Sequence, residues 1–308
     1  MNRRASRRLR WVILALALVL LLVILALALP SLIGDESGGR EPGELTRIAF
    51  FDVGQGLSVG IITADGRSLL YDMGDREDAV DSVILSFFRE HGIERLDYVV
   101  SSHPDQDHIG ELATVLNRIP VGTYLDPAIE NTNRAYLRGL QVVEEKGIPA
   151  QRARRGDAFE LGERTRVEVL WPEPPFITDS DGEVHDNNNS VVLRVIDGDV
   201  RILLTGDIEE EAEEELLALD PSALRADLLQ VAHHGSNSSS TMPFLDAVGA
   251  RTAVISAGAD NSYGHPHRET MQRLREAGMT VYRTDVDGTV VFVSDGTQIQ
   301  LEGQEGTP

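Results

Sequence analysis

Six of the eight histidines in the 308-residue chain fall in three short clusters: His103-Pro104-Asp105-Gln106-Asp107-His108, His233-His234-Gly235-Ser236 and Gly264-His265-Pro266-His267. Each cluster follows a segment that reads as a β-strand, over 96–101, 228–232 and 253–256. Loops after the C-terminal ends of strands are where α/β folds gather their ligands. Four metal-ligating side chains within six residues do not pack into a core by themselves. Asp105, Asp107 and His108 desolvate and repel one another unless a cation neutralises them. The plain alternative is a solvated acidic loop with Asp107 placed ahead of a helix, and the density of imidazole and carboxylate favours a divalent metal instead. The chain has no cysteine, which excludes thiolate zinc sites, disulfides and cysteine nucleophiles together.

The elements that must hold these loops follow from apolar periodicity. Segments 47–53, 57–63 and 68–72 read as strands, the last two joined by an Asp65-Gly66 turn, and are followed by a helix over 78–91, strand 96–101 and a helix from about Gly110 to Arg118. A second block repeats the pattern with strands 166–171, 190–196 and 200–206, an Asp197-Gly198 turn and an acidic helix over 209–219. Gly74-Asp75 and Gly206-Asp207 close the two blocks, which predicts two similar halves. Strand 228–232, helix 242–248, strand 253–256, helix 269–277 and a final hairpin of 281–284 with 290–293 complete the reading. Strand-rich halves flanked by helices predict two facing sheets with helices outside.

The first ten residues carry five arginines (Arg3, Arg4, Arg7, Arg8, Arg10), and residues 11–29 form an unbroken apolar run that continues to about 33. That length suits one transmembrane helix, and basic residues before it with Asp35, Glu36, Glu41 and Glu44 after it predict a cytoplasmic N-terminus and an external C-terminal domain. A retained anchor is favoured over a cleaved signal, because the apolar core is long and Ala26-Leu27-Ala28 is a poor cleavage site. The expected organisation is a basic flank (1–10), a signal anchor (11–33), a Gly/Pro/Glu-rich tether (34–45), one catalytic domain (46–302) and a short tail (303–308). The net charge is −22, and beyond the arginine cluster 23 basic side chains face 50 acidic ones. With no aromatic and basic stripe for single strands, this balance argues against tight non-specific DNA binding unless positive charge or metal is concentrated at one place.

Five further stretches occur in a fixed order: Phe51-Asp52-Val53-Gly54-Gln55-Gly56, Leu69-Leu70-Tyr71-Asp72, Leu203-Leu204-Thr205-Gly206-Asp207, Val231-Ala232-His233-His234-Gly235-Ser236 and Tyr263-Gly264-His265-Pro266-His267. Together with His103-x-Asp105-x-Asp107-His108, which is similar to a His-x-His-x-Asp-His signature with aspartate for the second histidine, they resemble the metallo-β-lactamase superfamily. Within it they resemble the hydrolase domain of competence DNA-uptake channel proteins and its stand-alone relatives. The resemblance spans 47–294 and implies an α/β fold, a four-layer αββα sandwich. It also implies one or two divalent ions, zinc or manganese.

By the same resemblance His103 and Asp105 bind one ion, Asp107 and His108 a second, and Asp207 bridges them. The last histidine ligand is His234 or His265. His265 is preferred as the ligand, which leaves His234 as a substrate-binding or proton-donating group. Asp107 also orients the attacking water, His233, Ser236 and His267 contact substrate, and Asp72 orients a ligand histidine or a loop from behind. Asn187-Asn188-Asn189-Ser190 stands where many members carry another histidine, and the richer oxygen set points toward manganese. Where relatives have a small or polar residue after Gly-Gln-Gly, this chain has Leu57. The implied activity is that of a single-pass, membrane-anchored phosphodiesterase or nuclease acting on DNA or nucleotides outside the cytoplasm. Hydrolysis of a small amide or ester such as a β-lactam or lactone competes with it, as does a metal-stabilised binding module without catalysis.

Overall fold

The computed structural model describes residues 45–303. The expected flank, the membrane anchor and nearly all of the tether and tail lie outside the described residues, and among the described ones no helix is long and apolar enough to cross a membrane.

Short aliphatic runs closed by glycine turns give two sheets. The first takes β1 (Thr46–Phe50), β2 (Val59–Ile62), β3 (Ser68–Tyr71), β4 (Leu96–Val100), β5 (Val121–Asp126) and β6 (Ala150–Arg152). The second takes β7 (Ala158–Glu160), β8 (Thr165–Trp171), β9 (Val192–Asp197), β10 (Val200–Leu204), β11 (Leu228–Gln230), β12 (Thr252–Ile255) and β13 (Thr280–Arg283). The chain then returns to the first sheet as β14 (Val290–Ser294), antiparallel to β1, and β15 (Ile299–Leu301).

The repeat read from the Asp-Gly turns is present in the topology. β1, β2 and β3 form an antiparallel meander from which β4, β5 and β6 continue in parallel. β8, β9 and β10 do the same, followed in parallel by β11, β12 and β13. The expected final hairpin is absent: β13 pairs in parallel with β12 in the second sheet, and β14 lies in the first. Between them Thr284–Asp287 makes a helical turn, and the Thr284 hydroxyl accepts the Ala257 N–H at 3.0 Å, which holds the end of β13 beside β12 while the chain crosses to β1.

Alternation along the strands divides the apolar residues into layers. Ile48, Phe50, Leu69 and Tyr71 face inward and meet Val167, Leu193, Val195, Ile202 and Leu204 of the other sheet. Their neighbours Ala49 and Leu70 face outward, against Leu112, Val115, Tyr136 and Val143 of helices Leu112–Arg118 and Arg134–Lys146. On the far side Leu203, Leu229 and Ala253 pack under Leu216, Phe244 and Leu274 of helices Glu210–Leu219, Met242–Val248 and Arg268–Glu276. The order helix, sheet, sheet, helix is the expected αββα sandwich.

Candidate metal centre

In both sheets the strand order passes from antiparallel to parallel at β3–β4 and β10–β11, and the residues that follow these strands meet one another. Asp72, directly after β3, is fully buried and in the left-handed region (φ 57°). Its carboxylate accepts the Ser102 N–H and hydroxyl, both at 2.7 Å, and lies 2.8 Å from His108 Nδ1. A carboxylate only accepts, so His108 Nδ1 carries the proton and Nε2 presents its lone pair to the interior. The same logic applies to His234, whose Nδ1 lies 2.8 Å from the carbonyl oxygen of Ser256.

Both free nitrogens converge. His108 Nε2 is 3.2 Å from His234 Nε2 and 3.2 Å from Asp207 Oδ2. His234 Nε2 is 3.2 Å from Asp107 Oδ2 and 3.4 Å from Asp207 Oδ2. His103 joins from the other side, with Nδ1 at 2.9 Å from Ser102 Oγ and 3.3 Å from Ser190 Oγ. Two buried atoms of this cluster, His103 Nε2 and Asp207 Oδ1, have no hydrogen-bond partner. Lone pairs collected in a buried space, two of them orphaned, repel one another unless a cation sits among them. The donors fit a divalent ion in two overlapping sets, His103, His108 and Asp207, and Asp107, His108 and His234, each within 4.8 Å.

The charges respond accordingly. Burial disfavours the charged form of His108, but the Asp207 and Asp72 carboxylates outweigh it and hold its pKa well above the ordinary value; a cation bound at Nε2 would take the place of that second proton. Burial likewise opposes ionisation of Asp107 and Asp207, and the histidines around them hold both below the usual carboxylate range. His265 behaves in the opposite way: burial, then the neighbouring His234 and His233, push it down to about 4.

The structure brings most of the expected residues together and sets some apart. Asp72 contacts both His108 and the Ser102 loop residue. The sequence reading prefers His265 over His234 as a ligand; in the structure His234 enters a ligand set, whereas His265 lies outside both, its ring parallel to His234 at 6.1 Å and its buried Nδ1 without a hydrogen-bond partner. The difference is the Ser256 carbonyl, which fixes His234 Nε2 inward. Asp105 stands at the rim, 3.5 Å from His103 Nε2 and outside both sets. His233 places Nδ1 3.2 Å from Glu209 Oε1 and Nε2 3.9 Å from Asp207 Oδ2. Ser236 bonds to Ser238 and His267 Nδ1 accepts the Asn237 N–H, so both serve the loop. Asn187, Asn188 and Asn189 are likewise spent on Glu209, Glu211 and Ile177, and Ser190 is the member of the polar run that reaches a ligand histidine.

His233 and His234 both have left-handed backbones (φ 50° and 53°), a conformation costing on the order of 1 kcal/mol or more each. The turn is held by His233 N–H to the Gly206 carbonyl at 3.2 Å and His267 N–H to the Gly235 carbonyl at 2.9 Å. The Gly54-Gln55-Gly56 loop supports the other histidine loop: Leu57 N–H donates to the Asp107 carbonyl at 3.1 Å, and a Cβ on Gly56 would lie 2.6 Å from that oxygen. Leu57 itself is buried between the sheets, which accounts for an apolar residue at that position. Ser102, Ser190 and Glu209 were not singled out from sequence as individual contributors. Ser102 and Glu209 lie within two residues of His103 and Asp207, which is the one signal they offer.

The sequence profile of the metallo-beta-lactamase superfamily matches residues 53–259. The chain belongs to the metallo-β-lactamase superfamily. Among curated members it is 35% identical over 219 residues to ComE operon protein 3 of Bacillus subtilis, covering 69% of this chain and 26% of that protein. To competence protein ComA of Neisseria gonorrhoeae it is 34% identical over 250 residues, covering 80% of this chain and 32% of the relative. The superfamily chain thus spans less than a third of either relative. Among solved structures the metallo-beta-lactamase fold protein YhfI from Bacillus subtilis matches with a TM-score of 0.50 at 13% identity, covering 78% of this chain and 95% of that one, and shares the fold.

Proposed function

We propose that this superfamily hydrolase is a membrane-anchored phosphodiesterase acting outside the cytoplasm on DNA or nucleotides. The observation that carries the hydrolytic part is the convergence of His108 Nε2, His234 Nε2 and the Asp107 and Asp207 carboxylates on one buried space. The relation to competence proteins supports the substrate class, and the apolar run at 11–29 with its arginine flank supports the anchor.

His103 and Asp207, with Asp105 at the rim, would hold one divalent ion, and Asp107, His108 and His234 a second beside Asp207. Such ions supply Lewis-acid polarisation of a phosphoryl oxygen and acidify water. The chain does the rest. Asp72 fixes the tautomer of His108, and the Ser256 carbonyl fixes that of His234. Asp107, held by the Gly54–Gly56 loop, accepts a hydrogen bond from the attacking water. His233 carries a proton that Glu209 secures from behind; burial opposes this charge and the Glu209 hydrogen bond outweighs it, so its pKa is raised. The water, made acidic in this site, has released one proton to solvent before attack; as its oxygen bonds to phosphorus and the P–O bond to the leaving group breaks, His233 Nε2 gives its proton to the leaving oxygen and is later reprotonated from solvent. The acidic surface favours short substrates over a long polyanion.

The test is the metal content of the full chain, with hydrolysis of bis(nitrophenyl) phosphate and a chromogenic β-lactam before and after chelation and manganese or zinc add-back. Near-stoichiometric metal and chelator-sensitive phosphodiester cleavage are expected. Cleavage of the β-lactam alone would replace the substrate class, and a folded, metal-free, inactive chain would leave only a binding module.

A further inference from the structure

One face of the centre is built of stacked rings. His265 lies parallel to His234 with centroids 6.1 Å apart and planes 21° apart, and Tyr263 lies parallel to His265 at 5.6 Å and 18°. These are offset-stacked separations. His233 and His267 meet His265 edge-on at 5.6 and 4.9 Å. Three rings thus form a column that begins at an imidazole of the ligand cluster and ends in solvent.

Tyr263 ends the column with 64% of its surface exposed, and among the described residues it is the one aromatic in the group of exposed large hydrophobic side chains. Its placement is not that of a loose loop. The Asn261 side chain donates to the Gly258 and His265 carbonyls at 2.9 and 2.6 Å and accepts the Tyr263 and His265 N–H groups at 3.2 and 3.0 Å. One amide therefore fixes both ends of the segment that carries the ring, and among the described residues its outer face is left exposed.

We infer that Tyr263, seated on His265, is a stacking platform for a nucleobase adjoining the scissile phosphodiester. The inference rests on the phosphodiesterase reading and narrows its substrate: a phosphodiester flanked by at least one base. An aromatic face accepts any base, because every base has a π-face, and so gives affinity without sequence preference. It also supplies attraction that an acidic surface cannot supply through phosphate contacts.

The test uses the full chain and two dinucleotides, one of thymidines and one with abasic tetrahydrofuran in place of both bases. Tyr263→Ala should lower kcat/KM for the first by on the order of ten-fold, mostly through KM, and leave the second unchanged, while Tyr263→Trp should retain wild-type values. A companion measurement follows the fluorescence of a 2-aminopurine dinucleotide added to chelated protein, where no turnover occurs. Stacking quenches it with wild type and Tyr263→Trp, and not with Tyr263→Ala. Equal effects of Tyr263→Ala on both dinucleotides, or no quenching by wild type, would overturn the platform. Quenching without hydrolysis of either dinucleotide would overturn the phosphodiesterase reading and leave the platform standing as a nucleobase site.

Discussion

Replacing Asp72 by Asn changes one atom and tests how the centre is held. Asparagine is tolerated at φ 57° and fits the same volume. Its Oδ1 can still accept the Ser102 N–H, but its Nδ2 is a donor and now faces His108 Nδ1 at the 2.8 Å once occupied by a carboxylate oxygen. Two donors cannot share that contact, so His108 must move its proton to Nε2. That nitrogen, 3.2 Å from both Asp207 Oδ2 and His234 Nε2, then loses the lone pair a metal needs. Loss of one charge-assisted hydrogen bond corresponds to about 1.5–3 kcal/mol, and loss of a ligand's orienting carboxylate to roughly 10–100-fold in metal affinity. The two figures agree, since ten-fold is about 1.4 kcal/mol. Competition titration of zinc and manganese against a chromogenic chelator, with circular dichroism to confirm folding, measures the effect. A folded Asp72→Asn protein that binds metal within about three-fold of wild type, well short of that expectation, refutes the tautomer argument.

Divalent metal at about 100 times its Kd should stabilise the folded state by about 2.7 kcal/mol, a Tm rise of roughly 5–10 °C at about 2–4 °C per kcal/mol. His234→Ala should abolish that rise in a thermal scan and His265→Ala should keep it; the reverse would restore His265 as the ligand. Glu213 is fully buried and pushed up to about 7, because burial outweighs the hydrogen bonds from Thr241 and Ser240. With the unfolded value near 4.3, its contribution is fully present below that pH and lost as pH rises through about 7, on the order of 3 kcal/mol in all. Denaturant midpoints from pH 5 to 8 should therefore fall more steeply in wild type than in Glu213→Gln, and parallel curves would contradict the shift. Gly56→Ala drives a methyl to 2.6 Å from the Asp107 carbonyl, and displacing that loop should lower kcat/KM by on the order of 100-fold at about 1–3 kcal/mol of stability. Unchanged kinetics would show that the loop does not hold Asp107 in place.

What the sequence made legible was whatever local pattern encodes. The Asp65-Gly66 and Asp197-Gly198 turns between apolar runs predicted the strands of both meanders, whereas which face Leu69, Leu70 and Tyr71 take is set by the layers they pack against. The helix Arg134–Lys146 escaped because its buried stripe is made of Ala135, Tyr136, Gly139, Val142 and Val143, small residues included so that Gly139 can pass Leu112 at close range. Its caps, Asn133 and left-handed Gly147, were the available signal. The false hairpin arose because Asp287-Gly288 reads as a turn, while the partners of β13 and β14 are chosen by β12 and β1, far away in sequence. His234 and His265 were indistinguishable by type, and a backbone carbonyl, which no residue letter records, separates them.

The facing halves of the sandwich give the ligand cluster a mechanical meaning. His103, Asp107 and His108 follow β4 in one sheet, and Asp207 and His234 follow β10 and β11 in the other, with His108 and His234 126 positions apart in the chain. A chain without cysteine has no disulfide between its two sheets. An ion shared by these loops would close that long stretch of chain into a ring and remove much of the freedom its unfolded form enjoys. The centre would then be the clasp of the molecule as well as its reactive point, so that metal scarcity would turn off chemistry and loosen the grip of one sheet on the other at the same time.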